Sequence, residues 1–509
     1  MRSPLTCALA LLVGGAASAA DGGAPVDGAA VIIGRAGPAP LPFVHPLFTD
    51  NMVLQRGRPV VVWGRATPGE KIQVALAGDS ASASAAADGA WQATLPARSA
   101  GGPYTLAIAG AQRKVVLENV AVGDVWLCSG QSNMEFLLAN TADAAAQIAD
   151  SQDRDLRLLT ITHAASLAPE NTLAITGDRW RVSAPKTVPE FSAVCFIMGR
   201  ALQRRLKVPI GLVNASSGGS AAEAWMSAQA LAPMEEFASA LVLLRAGTPI
   251  DEADPTLLWN GMIHPLLRFP FRGVAWYQGE ANDIRADQYA RLLPALIADW
   301  RRQFGFELPF AIVQLPNAGR RQTLPVEESA WPLIREAQAA VARELAGVAP
   351  TVTIDTAGVG DSARAELHPR NKTDVGNRLA RTILGSVYGL AEPRAPTFAR
   401  LVSQRRALRI FFRDLAPRER LMVGQKTGVD PVRRNPSGVL IGFAIAGADK
   451  KWFKARATID GATVVVSAPG VPSPVAVRYA WADNPIANLY STSGIPVAPF
   501  RSDIVTGAR

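Results

Sequence analysis

A single serine hydroxyl stands where an apolar strand ends and a helix is expected to begin. Residues 125–128 are apolar, and small and polar residues follow them around Ser132. A serine at such a turn lies beside the first backbone N–H groups of the helix, which have no partner within the helix and attract negative charge. Acyl transfer needs a nucleophile and preset donors for the oxyanion that it generates. Ser132 is therefore the candidate nucleophile of an acyl-transfer reaction.

Three other groups of small or polar residues also follow apolar runs that read as strands. They are residues 216–220, with two glycines, residues 278–282, with two side-chain amides, and the loop 361–369. Reactive groups of an open parallel sheet gather at the carboxyl ends of its strands. We therefore expect these three segments to converge on the edge of the sheet that carries Ser132.

Serine is a poor nucleophile unless a base removes its proton, so the histidines decide whether the site can work. The chain has four. His45 lies at the start of an N-terminal β region, and His163 follows a strand without a polar cluster around it. His264 precedes a strand, which puts it at the opposite edge of the sheet. His368 lies in a polar loop before the last helix, and elimination favours it as the base.

The pattern of apolar residues along the 509-residue chain predicts three structural regions. Residues 42–120 contain short, closely spaced strands typical of a β-sandwich module. Residues 121–392 alternate apolar strands with amphipathic helices, which indicates a parallel sheet covered on both faces. Residues 393–509 return to a β pattern. The predicted fold is thus α/β, with a three-layer α/β/α domain flanked by two β-sandwich-like regions.

The N-terminus has the pattern of an export signal. Arg2 gives a positive start, residues 5–15 form a short apolar core, and residues 17–19 offer a small-residue cleavage site. We therefore expect a signal peptide at 1–20, a flexible leader at 21–41, and a mature protein that is periplasmic or extracellular. No later stretch is long and apolar enough to predict membrane insertion. Cys128 and Cys195 could pair in an oxidising compartment, but both lie in apolar segments, where buried free thiols are expected.

Composition narrows the partners further. The formal net charge of +9 suits an anionic substrate, although most of the basic residues are expected on solvated faces. The sequence has no dense basic run interleaved with aromatic residues, so nucleic-acid binding is not expected. It also has no cysteine–histidine spacing typical of a zinc site and no phosphate-binding glycine loop.

The segment 126–135 reads Trp-Leu-Cys-Ser-Gly-Gln-Ser-Asn-Met-Glu and resembles the nucleophile block of the sialate O-acetylesterase family of SGNH hydrolases. Weaker matches at 47–56, 260–265 and 478–481 extend the resemblance through most of the mature chain. The resemblance implies a serine esterase without metal or cofactor whose partner is an acetylated glycan, with O-acetylated sialic acid first. Acetylated xylan or pectin is the alternative substrate class. A non-catalytic glycan-binding protein is the alternative from another functional class.

The resemblance also points to the acid that would orient His368. SGNH hydrolases commonly place an aspartate three residues before the histidine, and this chain has Ala365 there. The sialate-esterase pattern often places the acid two residues before, which corresponds to Glu366. Asp361, earlier in the same loop, is the alternative acid.

The oxyanion hole of the family combines a serine N–H, a glycine N–H and an asparagine side chain. By resemblance, the first donor is Ser132 and the second is Gly218 or Gly219. The family's asparagine position is alanine here, so Gln278 is the favoured third donor and Asn282 the alternative. The expected substrate contacts are Gln131, Glu280 and Asn282.

Overall fold

The computed structural model describes residues 32–33, 41–174, 179–248, 251, 254–357 and 364–503. The predicted signal peptide and nearly all of the predicted leader lie outside these ranges. Within them, no helix is long and apolar enough to cross a membrane, and no group of histidine, cysteine, aspartate and glutamate side chains could hold a metal ion.

The N-terminal region is built of short strands with alternating burial. In β4, for example, alternate side chains from Ile72 onward are buried, as expected for a strand with one face on a core. One sheet pairs β3 with β6, and the other contains β4, β5, β7 and the start of β8. The strands are β1 Ile32–Ile33, β2 Val53–Gln55, β3 Val60–Arg65, β4 Lys71–Leu76, β5 Asp79–Ser84, β6 Ala90–Leu95, β7 Gly101–Ala109 and β8 Lys114–Gly130.

Strand β8 joins the N-terminal region to the central domain without interruption. Its first half pairs with β7 and β2, and its second half enters the central sheet. The boundary predicted between residues 120 and 121 therefore falls inside one continuous strand. Because this strand ends at Gly130, the N-terminal region is coupled rigidly to the turn that carries Ser132.

The central domain alternates strands and helices, as the sequence predicts. Its strands are β9 Asp153–Thr160, β10 Ala164–Ala165, β11 Arg181–Ser183, β12 Ile210–Ser216, β13 Gly273–Tyr277, β14 Phe310–Val313, β15 Gly319–Arg320, β16 Val348–Thr351 and β17 Arg364–Ala365. Its α-helices are α1 Ser132–Glu135, α2 Ala144–Ala149, α3 Ala193–Leu206, α4 Ala228–Leu231, α5 Ala238–Arg245, α6 Ala286–Phe304, α7 Ala330–Glu344 and α8 Lys372–Ser386. Short 3₁₀ segments lie at Leu138–Asn140, Ala222–Trp225, Glu235–Phe237, His264–Leu266 and Glu280–Arg285, and a π-helical turn lies at Trp259–Ile263.

The central sheet runs in the order β11-β9-β12-β8-β13-β14-β16, and all of these strands except β11 are parallel. Helices α3 and α8 pack together, as do α6 and α7. Strands β12 and β13 are buried along their whole length because layers cover both faces of the sheet. The predicted three-layer α/β/α fold is confirmed. Strand β8 lies between β12 and β13. The strands that follow β8 in the chain are added first on one side of it and then on the other, so β8 marks the point where the strand order reverses.

A disulfide joins Cys128 of β8 to Cys195 of α3, with 6.0 Å between their Cα atoms. The prediction of free thiols is therefore wrong. Both residues are fully buried, as expected, but apolar surroundings suit a buried thiol and a buried disulfide equally well. The pairing depends on how α3 is seated on the sheet, which the apolar pattern of the two segments does not define.

The C-terminal region is all-β, as predicted, and has a second core that also includes Val352 and Ile354 of the central domain. Buried Arg335 of α7 donates to the carbonyl oxygens of Ala482 and Asp483, each at 2.7 Å, which ties the two regions together. The strands are β18 Thr397–Gln404, β19 Ala407–Arg413, β20 Leu421–Gln425, β21 Arg433–Arg434, β22 Phe443–Ala446, β23 Trp452–Lys454, β24 Arg456–Asp460, β25 Thr463–Ser467, β26 Ala476–Tyr479, β27 Leu489–Ser491 and β28 Phe500–Arg501.

Candidate active site

The turn from β8 to α1 is built on a glycine. Gly130 has φ of 138°, and a Cβ at this position would lie 2.0 Å from the carbonyl oxygen of Tyr277, at the end of β13. The next residue, Gln131, donates its backbone N–H to that same oxygen at 3.1 Å. Only glycine allows the two chains to approach this closely in this conformation. The contact fixes where Ser132 leaves the sheet.

Ser132 and His368 meet at this edge of the sheet. The Oγ atom of Ser132 lies 2.8 Å from Nε2 of His368, within hydrogen-bond distance. Ser132 is partly exposed and His368 is partly buried. Burial lowers the pKa of His368, and the charge of Lys372 lowers it further. A neutral imidazole in this position can accept the serine proton.

Two of the three histidines that the elimination excluded, His45 and His264, have partners elsewhere in the fold. His45 is buried against Trp63, with 4.8 Å between ring centroids, and burial lowers its pKa to about 3. His264 directs Nδ1 to the carbonyl oxygen of Glu170 at 2.7 Å. Both imidazole rings therefore contact residues of the fold, as expected for histidines with a structural role.

The acid predicted to orient His368 is not on the imidazole. Glu366 is exposed, and among the described residues no carboxylate accepts a hydrogen bond from His368. The alternative acid, Asp361, lies outside the described residues. Counting residues back from the histidine does not identify the acid reliably here. The segment from 366 to 371 is neither helix nor strand, so its side chains do not point in directions that repeat along the sequence.

Two backbone N–H groups lie open beside the nucleophile. Within the described part of the chain, neither Ser132 N–H nor Gly219 N–H has an acceptor. Gly218 differs, because its N–H donates to Oε2 of Glu135 at 2.7 Å. A Cβ on Gly218 would lie 3.6 Å from Cβ of Ser132, so this loop passes directly beside the serine. Of the two glycines left open by the sequence, Gly219 offers the free donor.

The two side-chain amides predicted as the third donor belong to an internal network. Nε2 of Gln278 donates to Oε1 of Gln131 at 3.2 Å and to Oδ1 of Asn282 at 2.7 Å. Nδ2 of Asn282 donates to Glu223 at 2.9 Å, and its Oδ1 also accepts from the N–H of Ala222. Both amides are fully buried. Both amides thus brace the loops around the site, and the assignment of either one as the third oxyanion donor stays a prediction.

The remaining predicted substrate contacts are internal as well. Gln131 is buried, and its Oε1 accepts from the backbone N–H groups of Gly279 and Ala281 at 3.4 and 3.2 Å. Glu280 is also buried and accepts from Nδ2 of Asn133 at 2.6 Å. Burial raises the pKa of Glu280. The sequence placed these residues at the correct edge of the sheet but did not reveal that they turn inward.

A contact between a carboxylate and a histidine, which the sequence did not predict, flanks the nucleophile. Oε1 of Glu135 lies 3.0 Å from Nε2 of His163, while Oε2 of the same carboxylate accepts from Gly218. The expectation that no polar cluster surrounds His163 is therefore wrong. The partner comes from the end of α1, which sequence separation concealed. The sequence did offer one indication of this contact, because Glu135 belongs to the nucleophile block.

A second unpredicted group lies beneath the site. Lys372, at the start of α8, is fully buried, and its Nζ donates to Oδ1 of Asn133. Nδ2 of Asn133 in turn donates to the carbonyl oxygen of Leu367 at 3.1 Å. Burial lowers the pKa of Lys372 to about 7, although the charge of Glu280 opposes this shift. A lysine at the start of an amphipathic helix normally reads as a surface residue, so the sequence carried no signal for it.

The fold and this site define a carboxylic ester hydrolase of the SGNH type. Residues 122–385 match the family model for carbohydrate esterase, sialic acid-specific acetylesterase. The chain belongs to this family.

Individual proteins that are similar to this chain agree with its membership of the family. The chain is 30% identical to the sialate O-acetylesterase of Homo sapiens over 376 residues, covering 67% of this chain and 70% of the relative. It is 27% identical to that of Rattus norvegicus over 520 residues, covering 90% and 94%. The crystal structure of a carbohydrate acetylesterase from Xanthomonas citri superposes with a TM-score of 0.79 at 37% identity, covering 91% of this chain and 99% of the other.

Proposed function

We propose that this protein removes O-acetyl groups from acetylated carbohydrates, with O-acetylated sialic acids as the first substrate class, by two-step acyl transfer on Ser132. The hydrogen bond between Ser132 Oγ and His368 Nε2, at 2.8 Å, carries the proposal. The names of the mammalian relatives support the sialate substrate. The broader name of the Xanthomonas citri enzyme supports other acetylated carbohydrates, so acetylated xylan or pectin is the second candidate.

In the first step, His368 takes the proton of Ser132 as Oγ bonds to the acetyl carbonyl carbon. The negative charge that develops on the carbonyl oxygen faces the open N–H groups of Ser132 and Gly219. The bond between this carbon and the sugar oxygen then breaks, and His368 returns the proton to the departing sugar hydroxyl. The product on the enzyme is an acetyl ester of Ser132.

In the second step, water replaces the sugar. His368 removes a proton from the water as its oxygen bonds to the acetyl carbon, and the same two N–H groups face the new oxyanion. Cleavage of the serine ester releases acetate, and Ser132 regains its proton from His368. The same base therefore serves both halves of the reaction.

We also propose that the protein is exported to the periplasm or the extracellular space. The pattern of residues 1–20 supports export. The Cys128–Cys195 disulfide adds support, because disulfides persist in oxidising compartments and are rare in the cytosol. Fractionation combined with N-terminal sequencing of the secreted form tests this, and an intact N-terminus in the cytosolic fraction would contradict it.

The decisive experiment for catalysis is labelling by a fluorophosphonate, which reacts with activated serines. We expect labelling of the wild type and none of Ser132→Ala. If the folded wild type is not labelled, the non-catalytic glycan-binding alternative replaces this proposal.

Acetate release from O-acetylated sialoglycan, acetylxylan and acetylated pectin, measured side by side, then ranks the substrates. The sialoglycan is expected to give the highest kcat/KM, and a higher value on xylan or pectin would select the second candidate.

A further inference from the structure

Directly beneath the catalytic pair lies a buried polar group that the acyl-transfer steps do not use. We call Lys372, Asn133 and Glu280 the buried lysine cluster. Lys372 and Asn133 are 0% exposed and Glu280 is 7% exposed. Asn133 bridges the other two, because its Oδ1 accepts from Lys372 and its Nδ2 donates to Glu280.

The cluster touches both halves of the catalytic pair through the backbone. Asn133 follows Ser132 directly in the chain, so its side chain anchors the helix turn that carries the nucleophile. Its Nδ2 also donates to the carbonyl oxygen of Leu367, the residue before His368. Asn133 therefore connects the nucleophile turn to the histidine loop, and Lys372 fixes the orientation of the Asn133 amide.

A buried ammonium is costly unless its surroundings compensate for lost water. Nζ of Lys372 lies 4.7 Å from the ring centroid of Phe136 and 5.7 Å from that of Tyr277, so two aromatic faces stabilise its charge. Among the described residues, no carboxylate oxygen lies within 4.0 Å of Nζ, the salt-bridge distance. Its positive charge is thus not neutralised by direct contact and acts on nearby groups.

We propose that Lys372 is a positioning residue: through Asn133 it holds the histidine loop against Ser132, and its charge disfavours a second positive charge on His368. This inference rests on the proposed function, since it concerns the same base. A neutral side chain at position 372 that preserves the fold would therefore remove the effect of the Lys372 charge on His368.

The charges around the cluster come from several elements. Glu280 follows β13 and Glu366 lies in the histidine loop, and both favour the charged form of Lys372, whereas burial disfavours it. Tyr277 of β13 is buried, which raises its pKa and keeps it neutral. Burial and then Lys372 lower the pKa of His368. Replacing Lys372 with a neutral residue therefore removes one of the two causes that keep the imidazole unprotonated.

The experiment compares kcat/KM against pH for the wild type, Lys372→Gln, Lys372→Met and a control variant. Glutamine can still donate to Asn133 but has no charge, whereas methionine has neither. In both lysine variants, we expect the acidic limb of the profile of kcat/KM against pH to move to higher pH by roughly 0.5–1 unit. Lys372→Met is also expected to lose about tenfold or more in kcat, because the histidine loop loses its anchor. Arg381→Gln removes an exposed charge from the same helix, and we expect its profile to match that of the wild type.

Two measurements make the outcome decisive. Fluorophosphonate labelling of the wild type tests the proposed function by itself, so failure there is distinct from failure of the lysine proposal. If the wild type is labelled and folded Lys372→Gln keeps its acidic limb in place, the proposal is overturned. Should both lysine variants misfold, NMR titration of His368 in the wild type decides. A second inflection in the His368 titration curve at the pH where Lys372 loses its proton supports the proposal, and a curve with a single inflection refutes it.

Discussion

The disulfide between Cys128 and Cys195 gives a stability prediction whose size follows from the chain. The two residues are 67 positions apart, so the bond closes a long loop that spans β8, β9 and α3. In the chain-entropy model, closing a loop of this length removes about 15 cal/mol/K from the unfolded chain, or about 4 kcal/mol at 25 °C. That difference corresponds to roughly a thousandfold change in the unfolding equilibrium.

The perturbation is the double variant Cys128→Ala with Cys195→Ala, compared with oxidised wild type in denaturant. Tryptophan fluorescence reports on the central domain, where Trp126, Trp276 and Trp300 are fully buried. We expect the unfolding midpoint of the variant to fall, and the wild type treated with reductant to follow it. Either single alanine variant should lose nearly as much as the double variant, because each removes the whole bond.

Catalysis should respond much less than stability. The turn that carries Ser132 is held by the contact of Gly130 with the end of β13, and that contact remains in the variant. We therefore expect fluorophosphonate labelling well below the melting temperature to be preserved. Equal midpoints for variant and oxidised wild type, or a non-reducing peptide digest without a Cys128–Cys195 linked pair, would refute the reasoning.

Three further predictions concern the site and its support. Gly130→Ala places a Cβ 2.0 Å from a carbonyl oxygen at φ of 138°, so it is expected to abolish labelling of the serine and to lower the melting temperature, both measured on the purified variant. Burial raises the pKa of Asp355, but the charge and hydrogen bonds of Arg378 outweigh it and the net pKa is lowered. The pair therefore contributes stability above the ordinary carboxyl pKa of 3.8 and loses it as the pH falls through the lower folded value. Asp355→Asn should cost about 3–5 kcal/mol at neutral pH and remove this acid dependence from the unfolding midpoint. Glu366→Gln should keep kcat for acetate release within about threefold of the wild type, whereas His368→Ala should lose about 10³-fold or more. A loss in Glu366→Gln as large as that in His368→Ala would restore Glu366 as the orienting acid.

The sequence was sufficient for the features that depend on backbone periodicity. Apolar runs separated by amphipathic helices predict the parallel sheet, and the rule that carboxyl ends share an edge brings Ser132 and His368 together. The same rule places Gly219 and Gln278 around them. These predictions succeed because strand order and direction constrain the positions of Cα atoms, whatever the side chains then do.

The features that the sequence did not predict depend on side-chain direction. Gln278 and Glu280 follow β13 at the correct edge, yet both turn into the protein and form hydrogen bonds with residues distant in the sequence. His163 gains a carboxylate partner from α1, and Lys372 enters the core at the start of a helix. In loops no period dictates these directions, so competition among hydrogen-bond partners decides them and only the assembled fold reveals the outcome.

In the proposed mechanism, the buried amides would help the two open N–H groups of Ser132 and Gly219 to stabilise an oxyanion. A donor lowers the barrier most when it is held in place before the charge appears, so that no reorganisation is needed during the reaction. Gln131, Gln278 and Asn282 form hydrogen bonds with one another and with the backbone around them, and these bonds fix the loops that follow β8 and β13. These amides are buried and already form hydrogen bonds within the protein. We therefore expect sugar recognition to depend on partly exposed side chains beside the nucleophile, among which Glu135 and His163 already form a pair at its rim.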